Sequence, residues 1–186
     1  YESCEYYINA HDRILAISST WDSFAEENGA AKLGRHIIGC SLYDFIDGDE
    51  SKHLYGLIIS RVRETGHPVS FPFRCDSPSL RRFMEMTIRP AEAKSLLFSC
   101  STLHMEPRAV MSLLDVSISR SSETVHICSW CRKVLVPDGT WHEVEKAIAI
   151  LRLFESPQLP ALTHTICPAC DASIRAACGM TAQKPR

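Results

Sequence analysis

The residues in this sequence best equipped for chemistry are four cysteines in its last third. Cys128-Ser129-Trp130-Cys131 and Cys167-Pro168-Ala169-Cys170 are two C-x-x-C knuckles with 35 residues, 132–166, between them. Each knuckle holds two thiolates at the spacing of a tight turn, and each follows a β-branched residue, Ile127 or Ile166. Together they make a tetrahedral S₄ set, the ligand number and softness that structural Zn²⁺ takes. Four cysteine ligands leave no open coordination position, so the site is expected to hold the chain rather than catalyse. The competing reading of the same residues is a set of free or redox-active thiols. His164, three residues before Cys167, is a candidate to replace a ligand or to cover the site. His126 and His142 are weaker candidates for the same role.

Such a site needs a folded frame. With 186 residues, the chain has room for one medium domain and a small module, or for two small domains. Hydrophobic residues make up 45% and charged residues 23%, the balance of an ordinary globular protein. A net charge of −2 gives no global field to attract a polyanion. The cysteine-rich segment adds no basic patch: Arg132, Lys133, Lys146 and Arg152 are offset by Asp138, Glu143, Glu145 and Glu155. Of nine cysteines, five (Cys4, Cys40, Cys75, Cys100 and Cys178) are scattered and suggest no disulfide framework. Spare thiols beside a Cys₄ site indicate a reducing compartment, the cytoplasm. No apolar run approaches the roughly 20 residues a bilayer-spanning helix needs, and no signal-peptide pattern opens at Tyr1.

The first hundred residues pattern as β-β-α-α-α-β-β-β. Glu5–Ile8 and Ile14–Ile17 read as strands around an Asn9–Arg13 turn. A short helix runs from Trp21 to Glu27, stopped by Asn28-Gly29. Ser41–Ile46 reads as a helical turn. A longer helix starts near Asp49, with Leu54, Leu57, Ile58 and Val62 at helical spacing, and closes at Gly66. Val69–Arg74, Arg82–Arg89 and Leu96–Leu103 are strand-like. The expected fold class is therefore α+β, with one antiparallel sheet.

That order resembles the PAS domain, and local residues agree. Asp12-Arg13-Ile14 with Ser18–Trp21 is similar to the PAS strand-to-helix passage, and Gly39–Ile46 with Gly48-Asp49-Glu50 to the stretch entering its long helix. The resemblance covers about residues 4–105. It implies a PAS-like five-stranded antiparallel sheet with short helices, whose concave face holds a small ligand or is filled by side chains. The cysteine segment resembles a bacterial zinc-ribbon-like module found attached to PAS and response-regulator signalling proteins. The matching residues are Cys128–Lys133, Asp138-Gly139-Thr140-Trp141 and Ile166-Cys167-Pro168-Ala169-Cys170. The expected organisation is a PAS-like sensor domain at 1–106, a serine-rich linker at 107–124, a small Cys₄ zinc-binding module at 125–178 and a tail at 179–186.

Other constellations offer less. Cys75 follows Arg74, which could lower its pKa and make a redox sensor; the plainer expectation is a half-buried strand-end residue. Cys100 reads as core. A haem in the PAS cavity would draw an axial ligand from His53, His104, Met84 or Met86, each of which also suits a core or surface role. The Asn-Cys-Arg-Phe run of flavin photoreceptors is absent. No Gly-x-Ser-x-Gly, Walker loop or His-Glu-x-x-His occurs, and Arg81-Arg82 and Asp47/Asp49/Glu50 read as solvated charge. The expected function is non-catalytic signalling. A sensing or docking domain would be coupled to one structural zinc per chain and to a protein partner or a second copy. There would be no membrane role. A redox or metal sensor built on the four thiolates, and a nucleic-acid-binding zinc module, remain as alternatives.

Overall fold

The computed structural model describes residues 3–27 and 35–180. Strand β1 (Ser3–Ile8) pairs antiparallel with β2 (Ile14–Ile17). The Asn9 side chain closes their turn by accepting from the amides of His11 and Arg13, at 2.9 and 3.0 Å. Helix α1 (Trp21–Glu27) follows. Its expected stop at Asn28-Gly29 lies outside the described residues, as does the tail beyond Met180. A 3-10 turn at Leu42–Phe45 is capped by the Ser41 side chain and leads to helix α2 (Asp49–Thr65). Acidic Asp49 and Glu50 open α2, Arg63 lies in its last turn, and left-handed Gly66 (φ 68°) ends it.

Strands β3 (Val69–Arg74), β4 (Leu80–Pro90) and β5 (Leu96–Pro107) complete a five-stranded antiparallel sheet in the order β2-β1-β5-β4-β3. β4 and β5 run longer than their apolar alternation suggests because they pair along their whole length, Leu80 opposite Pro107 and Pro90 opposite Leu96. One face alternates into the core: Cys4, Tyr6 and Ile8 from β1, Met84, Met86 and Ile88 from β4, and Leu96, Phe98 and Cys100 from β5. Leu54, Ile58, Ile59 and Val62 of α2 join that core, and Tyr6 stacks on Phe98 at 4.7 Å.

The remainder forms a second sheet. β6 (Arg120–Cys128), β7 (Val134–Leu135), β8 (Trp141–His142) and β9 (Leu159–Thr165) lie in the order β8-β7-β6-β9. Helix α3 (Val144–Ile150) packs Val144, Ala147 and Ile148 against Ile127, Val134 and Val136. Met111 and Leu113 from the intervening segment fill the same core. The serine-rich stretch expected as linker is strand from Arg120 onward. Polar composition suggested mobility, but β9 supplies a parallel backbone partner, and the Arg120 guanidinium donates to the carbonyls of Leu113 and Asp115. Helix α3 stops short of Phe154. Arg152 takes φ 53°, which ends the helical run, and leaves Phe154 81% exposed.

β9 and helix α4 (Pro168–Ala177) went unread in the sequence. Pro160 interrupts the strand signal, and it is tolerated because β9 is an edge strand that loses no ladder bond there. Pro168 at the first helical position and left-handed Gly179 just past the end are the ordinary helix punctuation of α4. The two sheets share packing. Cys128, Trp130, Cys167, Ile174 and Cys178 belong to the same buried cluster as the five-stranded sheet and α2. No helix among the described residues is long and apolar enough to cross a membrane.

Candidate metal centre

The parallel pairing of β6 and β9 solves the problem posed by 35 intervening residues. Ile127 lies opposite His164, and Cys128 opposite Thr165. Two strands running the same way therefore end side by side, and each passes directly into its knuckle. The Sγ atoms of Cys128, Cys131, Cys167 and Cys170 all lie within 4.8 Å of one another. Tetrahedral Zn–S bonds of about 2.3 Å place sulfurs about 3.8 Å apart. Cys131 and Cys167 stand at 3.7 Å. The donor set and its dimensions fit a four-coordinate metal ion.

Backbone bonds shape each knuckle for this. The Arg132 amide donates to the Cys128 carbonyl at 3.0 Å, and Arg132 itself is left-handed (φ 61°), which turns the chain back on itself. The Cys128 amide donates to the Lys133 carbonyl at 2.8 Å. On the other side, Cys167 is the N-cap of α4 and Cys170 lies in its first turn. The positive end of the helix dipole therefore faces thiolates, which stabilises them. The Cys167 amide also donates to the Cys128 sulfur at 3.4 Å. Hydrogen bonding from Cys131, then from Cys167 and Cys170, holds the Cys128 thiol far below its ordinary range.

The centre is fastened to the first sheet through its own short loops. Trp130, between Cys128 and Cys131, is 3% exposed and packs its ring 5.2 Å from Tyr55 and 5.9 Å from Phe71. Its carbonyl accepts from the Arg74 amide at 2.7 Å. Ser129 accepts a hydrogen bond from Ser51 of α2 at 2.8 Å. Glu50, expected on a solvated face, accepts from the Ile166 amide at 3.2 Å and from the Thr165 hydroxyl. Gly48 passes so close to the backbone of His164 that a Cβ there would collide with its carbonyl oxygen. These attachments were missed in the sequence reading. The tryptophan inside a knuckle was their only local sign.

Arg81 and Arg82 are also not the solvated charges expected. Arg82 is buried, and Arg81 bonds Glu145 of α3 at 2.8 Å. They border an ion network between the sheets. Arg74 bonds Asp76 and reaches Glu143 at 2.8 Å, while Arg108 lies 3.3 Å from Asp76 and 3.5 Å from Glu145. The Asp76 side chain has no exposed surface. Arg74 is thus committed to carboxylates rather than to activating Cys75, whose thiol is pushed up by burial despite Arg132 and Arg82 nearby. Cys100 is core and donates to the Met86 sulfur at 3.5 Å, its thiol likewise raised by burial.

The histidines fall outside the cysteine cluster. His164 places Nε2 3.4 Å from Arg132 and Nδ1 4.0 Å from Asp47. His142 meets Thr140 at 2.8 Å, and His126 is exposed on β6. A separate apolar cavity of about 200 Å³ lies between the first sheet and its helices, lined by Tyr6, Ile14, Trp21, Ile37, Leu42, Phe45, Ile46 and Tyr55. The side chains considered as haem ligands sit elsewhere. His53 is exposed, His104 stacks on Phe83, and Met84 and Met86 are packed in the core. Compared with known proteins, the chain matches no family model and no curated sequence.

Proposed function

We propose that the protein is a non-catalytic signalling component, a PAS-like sensing or docking sheet coupled to a structural zinc held by Cys128, Cys131, Cys167 and Cys170. The observation that carries the reading is the seat of Trp130. A residue of the metal knuckle packs against Tyr55, and Tyr55 also lines the apolar cavity. A change in that cavity would therefore be felt at the metal loop through one aromatic contact. The mechanism is a population shift in which a ligand or partner favours one packing of the two sheets. The output is a protein contact, with a second copy or a heterologous partner, in a bacterial cytoplasm.

A redox or metal sensor is the second reading, supported by partial exposure of Cys131 and Cys170. It expects mild peroxide to oxidise the thiolates and eject the metal. A nucleic-acid role is disfavoured, since Arg74, Arg81 and Arg108 are engaged by carboxylates. Elemental analysis and an absorption spectrum of protein purified without added metal test the main reading. One zinc per chain and a featureless visible spectrum are expected. Metal-free protein with Cys128–Cys170 thiols oxidised would refute the structural zinc and favour the redox switch.

A further inference from the structure

A second cleft, of about 280 Å³, opens where α2, the end of β3 and the first knuckle meet. None of the four clustered cysteines lines it. Its walls include four aromatic side chains, Phe45, Tyr55, Phe73 and Trp130, and its polar groups include Arg132, Ser129, Asp47 and His164. Flat apolar walls with a few converging polar groups are the ordinary make-up of a small-molecule site.

Charge decides what kind of molecule fits. Arg74 also borders the cleft, but Asp76 and Glu143 neutralise it. Arg132 has no carboxylate partner among the described residues; its only side-chain hydrogen bond is to His164, and its Nε is buried without an acceptor. Burial, then the Arg132 guanidinium, lower the pKa of His164, and an imidazole carries no negative charge in either form to answer Arg132. Asp47 lies 84% exposed on the rim, where water screens it. One further donor belongs to a residue of the cleft wall: Ser129 accepts from Ser51, which leaves its own hydroxyl proton to give. Aromatic walls alone would also suit an organic cation. A guanidinium without a carboxylate partner, beside the free proton of the Ser129 hydroxyl, selects an anion instead.

We propose that this cleft binds a small aromatic carboxylate, its carboxylate on Arg132 and its ring among Phe45, Tyr55, Phe73 and Trp130. This deepens the sensing half of the proposal above and rests on it only for what binding would signal. Occupancy would brace the first knuckle against α2 at the contact through which the two sheets communicate.

Calorimetric titration of the metal-loaded chain with benzoate and phenylacetate tests it, with benzyl alcohol, benzylamine and inorganic phosphate as comparators. Saturable one-to-one binding of a carboxylate is expected, at least about tenfold tighter than the alcohol, the amine or phosphate. Arg132→Gln keeps the backbone amide that bonds the Cys128 carbonyl and should weaken carboxylate binding by about tenfold or more. No saturation up to about 10 mM, equal affinity for the alcohol, or preference for the amine or phosphate would each overturn the assignment. So would unchanged affinity in Arg132→Gln, or loss of metal from that variant, which would give Arg132 to the metal centre. The comparison among ligands on the native chain decides the matter even if the variant folds poorly. The zinc reading fails on metal content and this one on the titration, so the two failures are distinguishable.

Discussion

Replacing Trp130 with alanine should unfasten the metal loop from the first sheet. The indole is 3% exposed and touches Tyr55 and Phe71. Truncating a buried tryptophan or phenylalanine costs about 3–5 kcal/mol. Part of that is recovered, because the indole N–H has no acceptor and its burial costs about 1–3 kcal/mol. A net loss of about 2–3 kcal/mol is expected. With a urea m-value of about 2–3 kcal/mol/M, the unfolding midpoint should fall by about 1 M. Unfolding of metal-loaded protein would be followed in parallel by far-ultraviolet circular dichroism and by metal release to a chromophoric chelator. Both transitions should move together, since the tryptophan belongs to the core that spans both units. Phe154→Ala, at a side chain 81% exposed, serves as control and should shift stability by less than about 0.5 kcal/mol. If metal release moved while the sheet transition stayed in place, Trp130 would not belong to a core shared by both units.

Three further outcomes follow from named contacts. Gly48→Ala should cost several kcal/mol, because strain at φ 84° adds to collision with the His164 carbonyl; Gly139→Ala, at φ 85° but in open space, should cost only the strain of about 1–3 kcal/mol. Equal losses in the two variants, measured by urea unfolding, would remove the close approach from the account. Asp76→Asn leaves Arg74 and Arg108 each with one remaining carboxylate, Glu143 and Glu145. Stability should fall by about 3 kcal/mol, and a neutral result would show that the network merely offsets its own desolvation. Burial pushes the Cys4 thiol from 9.0 up to about 12. The native thiol then keeps its proton where the unfolded one has lost it. Its contribution to stability is complete below pH 9 and declines as pH rises toward 12. Urea midpoints across that range should show Cys4→Ala losing less stability at high pH than the native chain does, and parallel curves would contradict the assignment.

Local patterns made much of the first half legible. Alternation in Met84, Met86 and Ile88 and helical spacing in Leu54, Ile58 and Val62 mark core faces because one strand or one helix can bury only one side. Gly66 could be read as a helix stop because its left-handed conformation strains other residues. The second half was read less fully. Ser121, Ser122 and Glu123 carry no apolar face, so nothing local distinguishes a strand from a tether there. Arg81 beside Arg82 looks like solvated charge until Glu145 arrives from 64 positions away.

The four candidate ligands could be picked out from the chain alone, because C-x-x-C spacing is a property of a single turn and a thiolate is soft wherever it lies. The sequence by itself also determined the α+β order, which follows from periodicities of a few residues. How the knuckles meet is a long-range property. That depends on β6 and β9 running parallel, with Cys128 opposite Thr165, a pairing between segments with a hairpin and a helix between them. The same holds for Trp130, which leaves its own unit for the core beside Tyr55 and Phe71. Long-range pairing and packing are chosen by the sum of many weak contacts across the whole chain, and no window of neighbouring residues contains that sum.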